Sequence, residues 1–325
     1  MKHCTRIGLF FVALVLAACG KEEKTWTTDV EAVSEPLQWH DVSAVYYDES
    51  VSVDSLKRVY PEFFDQVPDS VIAVRRQDSL SRAMHRDVLA KYGNQAALQD
   101  SLRDVFGYIK HYYPQFPIPN VYLFTGELDF ANPVVYSPES DDLVIGLDWF
   151  LGSDYSAYRL MGIPPYIYEF FEPAALKPQL AYNISKHIVP FDIRQNAFIN
   201  RLIYEGKMMI LQDAFVPEAS DARKIGYTQE QIEWCRVNEK SIYTYFVEED
   251  MLYGSDRKLI ERFIDPAPFT KFFTETDRES PGRVGVWLGW QICRAYLRNN
   301  PEVDLDDFIR DIKHDEIFRR SGYKP

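Results

Sequence analysis

From Val284 to Ile292 the chain carries a single polar residue, Gln291. An apolar run of that kind predicts a helix buried on almost every side. Ser280 suits the N-cap and Pro281 the first helical position, where its missing N–H is not needed. The helix is therefore expected over 281–298. Gly285 and Gly289 stand four apart and so share a face. Each glycine costs up to ~1 kcal/mol relative to alanine inside a helix, which predicts a compensating close approach by another backbone. The run falls well short of the ~20 residues that span a bilayer. It reads as the central core helix of a globular domain.

The remaining pattern frames that helix. Alternation at Leu37, Trp39, Val42 and Ala44 or Val45 predicts a first strand within 36–47. Ser52 caps a helix over 53–60, stopped before Pro61. Helical spacing runs through 69–92 (Val71, Val74, Leu80, Met84, Val88), with Gly93 as terminator, and again through 94–113. Strands are expected at 119–125 and 143–147, with 134–136 between them. From Asp154 onward helical patterns follow at 155–161, 165–171, 173–187, 191–215, 228–248, 256–264, 281–298, 304–311 and 314–321, separated by Pro and Gly. No repeat and no break in composition marks a second domain. The expectation is an α+β fold, mostly α, with a small sheet, in one globular domain over 36–325.

The first twenty residues follow another logic. Lys2, His3 and Arg6 precede an apolar run from Ile7 to Leu16, the size of a signal-peptide core. Leu16-Ala17-Ala18-Cys19-Gly20 then resembles the lipobox of bacterial lipoproteins. That resemblance implies a signal peptide over 1–18, cleavage after Ala18, a diacylglyceryl thioether on Cys19 and an acylated new amino terminus. Several acyl chains at ~0.8 kcal/mol per buried methylene give stable anchoring. Residues 19–35 are expected to form a flexible tether. Lys21-Glu22-Glu23 resembles the charged triplet that directs some lipoproteins of the Bacteroidetes outward, and the expected place is the outer membrane, with its face open.

Charge narrows the partners. The chain has 325 residues and a formal net charge of −13. Loss of Lys2 and Arg6 leaves 34 basic against 49 acidic residues. Nucleic acid needs a basic surface and is excluded as a partner. Such a domain stands off anionic lipid on its tether. Cys235 and Cys293 fall in helical patterns and read as small buried hydrophobes, with a disulfide between them left open.

Familiar catalytic sets are missing. The sequence holds no His-Glu-x-x-His, no Cys-x-x-Cys, no Gly-x-Ser-x-Gly and no phosphate-binding loop. No metal, cofactor or catalytic residue is expected. Asp141-Asp142 and the group Asp304, Asp306, Asp307 and Asp311 read as solvated surface, the latter at a helix start that favours negative charge. His187 reads as a surface or capping group. Glu205 is an acid in a strongly apolar helix, and Arg201 four residues earlier is the expected ion-pair partner.

Several longer motifs carry a family resemblance. They are Tyr204-Glu205-Gly206-Lys207, Lys224-Ile225-Gly226-Tyr227-Thr228-Gln229-Glu230-Gln231, Phe263-Ile264-Asp265-Pro266-Ala267-Pro268-Phe269, Ser280-Pro281-Gly282-Arg283-Val284-Gly285 with Trp287-Leu288-Gly289-Trp290-Gln291, and the ending Arg319-Arg320-Ser321-Gly322-Tyr323-Lys324-Pro325. With the lipobox they resemble the gliding-motility lipoprotein GldB family of the Bacteroidetes. The resemblance implies an envelope lipoprotein of the gliding-motility and type IX secretion set, with no assigned reaction. Its partners would be envelope proteins, including other gliding-motility lipoproteins.

A fainter likeness is to zincin-like predicted zinc peptidases, in which a His-Glu-x-x-His helix, a Glu-Gly helix and a Pro-Arg helix follow in order. Glu205-Gly206 and the stretch from Arg283 match the later parts. The helix near 174–187 has no imidazole pair and reads Asn183, Lys186 and His187 around its end. The likeness implies a zincin-like scaffold lacking the metal motif, with Asn183, Lys186, His187 and Glu205 as vestigial-site residues. The leading expectation is non-enzymatic binding of envelope proteins. A divergent hydrolase using Glu205, or a carrier of an envelope ligand in a deep aromatic cleft, are the alternatives.

Overall fold

The computed structural model describes residues 30–126, 128–273 and 277–325. The expected signal peptide, Cys19 and most of the expected tether lie outside them. At the described end of that tether, the Val33 N–H donates to the Arg103 carbonyl at 3.2 Å. The first half comprises β1 (Trp39–Asp41), α1 (Val42–Tyr46), α2 (Val53–Val59), α3 (Pro61–Phe64), α4 (Asp69–Arg76), α5 (Ser79–Tyr92) and α6 (Gln95–Tyr112). Then come β2 (Asn120–Leu123), β3 (Val134–Ser137), β4 (Asp142–Ile145), α7 (Ser156–Leu160), α8 (Pro165–Tyr168) and α9 (Leu176–Ile188). The rest is helical: α10 (Phe198–Phe215), α11 (Asp221–Ile225), α12 (Gln229–Glu248), α13 (Arg257–Phe263), α14 (Val284–Asn299), α15 (Leu305–Arg310) and α16 (His314–Arg320).

The strands form one mixed sheet in the order β1-β2-β4-β3, so the α+β, mostly α expectation holds. The β1–β2 and β2–β4 pairs are parallel, and β3 runs antiparallel to β4. Two-residue alternation decides which side chain goes where. Val121, Leu123, Leu143 and Ile145 enter the main core, whereas Tyr122 and Val144 face a smaller cluster built from α1–α4. In that cluster Tyr46, Phe63, Phe64 and Phe124 pack ring on ring.

The structure corrects four local expectations. The alternation over 36–47 yields only a three-residue strand, because Asp41 caps a helix: its carboxylate accepts the Ala44 N–H at 2.9 Å. The 69–92 pattern breaks into two helices where Asp78 caps α5, accepting the Ser81 N–H at 2.7 Å. Helix α10 begins at Phe198, not near 191. The Phe198 and Ile199 N–H groups donate to the Gly254 and Leu252 carbonyls, each at 2.8 Å, so a neighbouring loop satisfies this helix end. Helix α14 begins at Val284, not 281, and Ser280 is not its cap. The Ser280 hydroxyl accepts the Thr270 N–H at 3.2 Å and donates to the Asp277 carbonyl at 2.6 Å.

The reading of α14 as a core helix is confirmed. Every residue from Val284 to Trp290 is buried. Its partner is α10, whose residues from Leu202 to Phe215 are all buried too. The two cross where glycine faces glycine. A Cβ on Gly289 would stand 1.9 Å from the Leu202 carbonyl oxygen, and one on Gly206 would stand 2.4 Å from the Gly289 carbonyl oxygen. This is the close approach that the glycine spacing predicted. Cys293 lies beside it, and both Cys235 and Cys293 are buried free thiols.

Among the described residues, no helix is long and apolar enough to cross a membrane. Lys207 shows how a buried charge finds partners in this core. Lys207, on α10, donates to the Ile309 and Ile312 carbonyls at 2.9 and 3.0 Å and so completes the end of α15. His314, at the start of α16, is pushed down to about 4 by burial first and by the Lys207 charge second. The unfolded chain takes up this proton near pH 6.5 and the folded chain only near 4, so His314 makes stability fall as pH drops through that window. Urea unfolding at pH 7, 5 and 4 should show a loss of roughly 2–3 kcal/mol in the wild type that H314Q reduces. An H314Q profile as steep as the wild type would contradict this.

Candidate functional site

A cleft of about 390 Å³ opens between α9, α10, the start of α12 and the segment that joins α13 to α14. One wall is aromatic and apolar: Phe130, Tyr166, Ile167, Phe170 and Phe171. The polar side of the lining comes from five stretches distant in sequence. These supply Tyr182 and Lys186, then Arg201 and Glu205, then Lys224 to Tyr227, then Asp265 to Pro268 with Gly282 and Arg283.

Helix periodicity places the polar groups. Gln179, Tyr182 and Lys186 fall at i, i+3 and i+7 on α9 and all border the cleft. Asn183 and His187 fall on other faces. The Asn183 amide nitrogen donates to the Gln179 carbonyl at 3.1 Å within its own helix. His187 is exposed, and its ring stands edge-on to Tyr136 of β3 with centroids 5.5 Å apart. Of the four expected vestigial positions, Lys186 and Glu205 meet at the cleft and Asn183 and His187 do not.

Glu205 is 2 % exposed, and its two carboxylate oxygens are both engaged. Arg201 lies 2.9 Å from Oε1, as the spacing predicted, and the Tyr182 hydroxyl donates to Oε2 at 3.1 Å. Burial raises the Tyr182 phenol pKa, and the Glu205 charge raises it further, so this hydroxyl keeps its proton. Arg201 also covers the Tyr204 ring at 4.9 Å and the Phe191 ring at 5.4 Å. Such a carboxylate is a fixed acceptor rather than a free base. The α9 side chains that face it are Tyr182 and Lys186, not imidazoles. Among the described residues no cluster of three His, Cys, Asp or Glu is arranged to hold a metal ion.

Two cations remain available to a ligand. Lys186 sits with its Nζ 4.8 Å from the Tyr182 ring centroid. Its amine is held below the ordinary lysine value by desolvation first, with Glu205 opposing and Arg283 adding to the shift. Arg283 donates from Nη1 to the Ile225 carbonyl at 2.9 Å. It takes φ 61° at the N-cap of α14, a left-handed conformation that non-glycine residues seldom adopt. Neither residue forms an ion pair with a described carboxylate. In the sequence Arg283 stands within a motif without a role of its own, because a left-handed backbone has no signal in the one-dimensional pattern.

Four of the motifs that carry the family resemblance thus meet in space, with Glu205, Lys224 to Tyr227, Asp265 to Pro268 and Arg283 around one cleft. Over residues 23–325 the chain matches the model of a family described as gliding motility protein GldB. The chain belongs to the GldB family. The GldB match takes in every cleft residue named above. Membership suggests a gliding-motility-associated lipoprotein with a place in the cell envelope. No curated protein and no solved structure matches the chain.

Proposed function

We propose that this GldB-family chain is a lipid-anchored envelope protein that works by binding, without catalysis, and that the cleft is where it holds a partner. The anchor is Cys19, the membrane is the outer one, and the partners are other envelope proteins of the gliding-motility set. The observation that carries the proposal is the cleft itself. Aromatic side chains share the lining with two cations that form no ion pair among the described residues, Lys186 and Arg283, in a volume typical of ligand sites. Glu205 supports this floor structurally, because Arg201 and Tyr182 occupy both its oxygens. A partner segment with an apolar side chain beside a carboxylate matches both walls.

Co-purification from native membranes tests the reading. The double variant K186E/R283E should lose the protein retained by the wild type. A remote change, V237E on α12 at an exposed position, should retain it. Equal retention by all three would remove the cleft from the proposal. Metal-dependent peptide hydrolysis by the purified chain, or zinc bound one to one, would replace binding with enzymatic action on the same cleft.

A further inference from the structure

Two like charges share the cleft. Lys186 is exposed and Arg283 half-buried, and both border the space. After desolvation, the Arg283 charge is what disfavours the Lys186 ammonium, so the two cations feel one another. Glu205 does not neutralise them, because Arg201 and the Tyr182 hydroxyl take its two oxygens. Lys224, also on the lining, is held by Asp213 at 2.8 Å. Arg283 gives Nη1 to the Ile225 carbonyl, which leaves the other donors of its fork for a ligand. Asp265 is the second acid on the lining, exposed on the segment after α13. It can only accept, so it suits the N–H groups of a peptide and not a second anion.

Beside these cations the half-buried side chains of Phe130, Tyr166, Ile167 and Phe170 line the same space. At about 390 Å³ the cleft is near the small end of pockets that enclose a compact ligand. It takes the tip of a partner, not a broad face, which would bury about 800 Å². An anion and an apolar group must therefore arrive close together. An internal Asp or Glu would carry a peptide group on either side of it past apolar surface. A peptide group buried without a partner costs about 1–3 kcal/mol. A chain end brings peptide groups on one side only, and it carries its carboxylate and its last side chain on the same residue.

We infer, with the cleft as the partner site, that what enters is the free C-terminus of a partner chain. Its terminal carboxylate sits between Lys186 and Arg283, and its apolar last side chain lies against Phe130, Tyr166, Ile167 and Phe170. Capture of a terminal carboxylate is a recurring mode of peptide recognition. That group ionises near pH 3.5, so at neutral pH it accepts charge-assisted bonds from both cations.

Fluorescence anisotropy of the detergent-purified chain with three amino-terminally labelled pentapeptides is the test. Gly-Ser-Gly-Leu-Phe ends in a free carboxylate. The second peptide is its C-terminal amide. The third, Gly-Leu-Glu-Phe-Gly amide, moves the carboxylate inside. The free acid should bind saturably, one per chain, about tenfold or more tighter than the other two, the worth of a charge-assisted hydrogen bond. K186Q, at an exposed position, should melt like the wild type and weaken the free acid alone, about tenfold. In K186Q/R283Q the acid and the amide should bind alike. A preference that survives this double variant places the carboxylate elsewhere and overturns the inference. If the amide or the internal-glutamate peptide binds as tightly as the free acid, the chain end is not what is read, and the inference fails while the cleft keeps its role. If no peptide binds, the inference fails as well. Loss of the membrane partner by K186E/R283E then leaves the cleft as the partner site, and retention removes both.

Discussion

Gly289→Ala should destabilise the fold by about 3 kcal/mol or more, a large share of the 5–15 kcal/mol typical of a native protein. The added methyl would stand 1.9 Å from the Leu202 carbonyl oxygen and 2.6 Å from its carbon. These are backbone atoms of a buried helix and cannot swing aside as a side chain could. Alanine regains about 1 kcal/mol of helix propensity, which does not offset parting α10 from α14. Gly206→Ala meets the Gly289 carbonyl in the same way, at 2.4 Å, and should behave alike. Thermal unfolding followed by circular dichroism should show a drop in Tm of roughly 6–12 °C for either variant. A Tm within about a degree of wild type would mean that the helices slide apart freely, and the crossing would lose its structural standing.

The second large effect belongs to Asp213→Asn. Asp213, near the end of α10, accepts from Lys224 at 2.8 Å, from Arg294 twice at 2.9 Å and from the Trp290 indole at 2.9 Å. The Arg294 guanidinium also lies 3.8 Å from the Trp290 ring centroid. Burial alone would raise the Asp213 pKa; the charges of Arg294 and then Lys224 outweigh it and hold the carboxyl below its ordinary value. A group lowered in this way stabilises above the unfolded pKa, and its contribution is lost as pH falls through the folded one. The amide keeps the shape but strands the Lys224 ammonium, whose side chain is fully buried. Removing one partner of a buried pair costs about 3–5 kcal/mol. Urea unfolding at pH 7 should read that loss. The double variant D213N/K224M should recover part of it, because no stranded charge then remains. Equal stability of D213N and wild type would show that the network carries no net weight.

What the sequence disclosed follows the physics of each feature. The burial of α14 was legible because nearly every position is apolar, and the glycine spacing announced a neighbour without saying which. The neighbour is α10, 77–90 residues away, and no local pattern encodes that pairing. The Arg201–Glu205 pair was legible because four residues is one helical turn. Caps were legible where the hydroxyl had no rival, as at Ser52, which accepts the Ser55 N–H at 3.1 Å. Ser280 failed as a cap because the loop at Thr270 uses its hydroxyl. The break at Asp78 was masked by an apolar period that runs through it. The cleft was the least legible feature, since its polar lining is assembled from five separate stretches and its aromatic lining from two others. Lys186 and Glu205 were named from residue order, while the placing of Asn183 and His187 turned on helix phase.

The glycine crossing also has a temporal side. Its two rods are separated by the whole of α11, α12 and α13, so the chain must close a long loop before they meet. A ribosome finishes α10 well before α14, and through that interval the greasy side of the first rod that α14 will cover lies open, although α6 and α9 are already there for its other sides. A nascent chain halted between them would be sticky and open to proteases, and the last quarter of the message decides whether the middle survives.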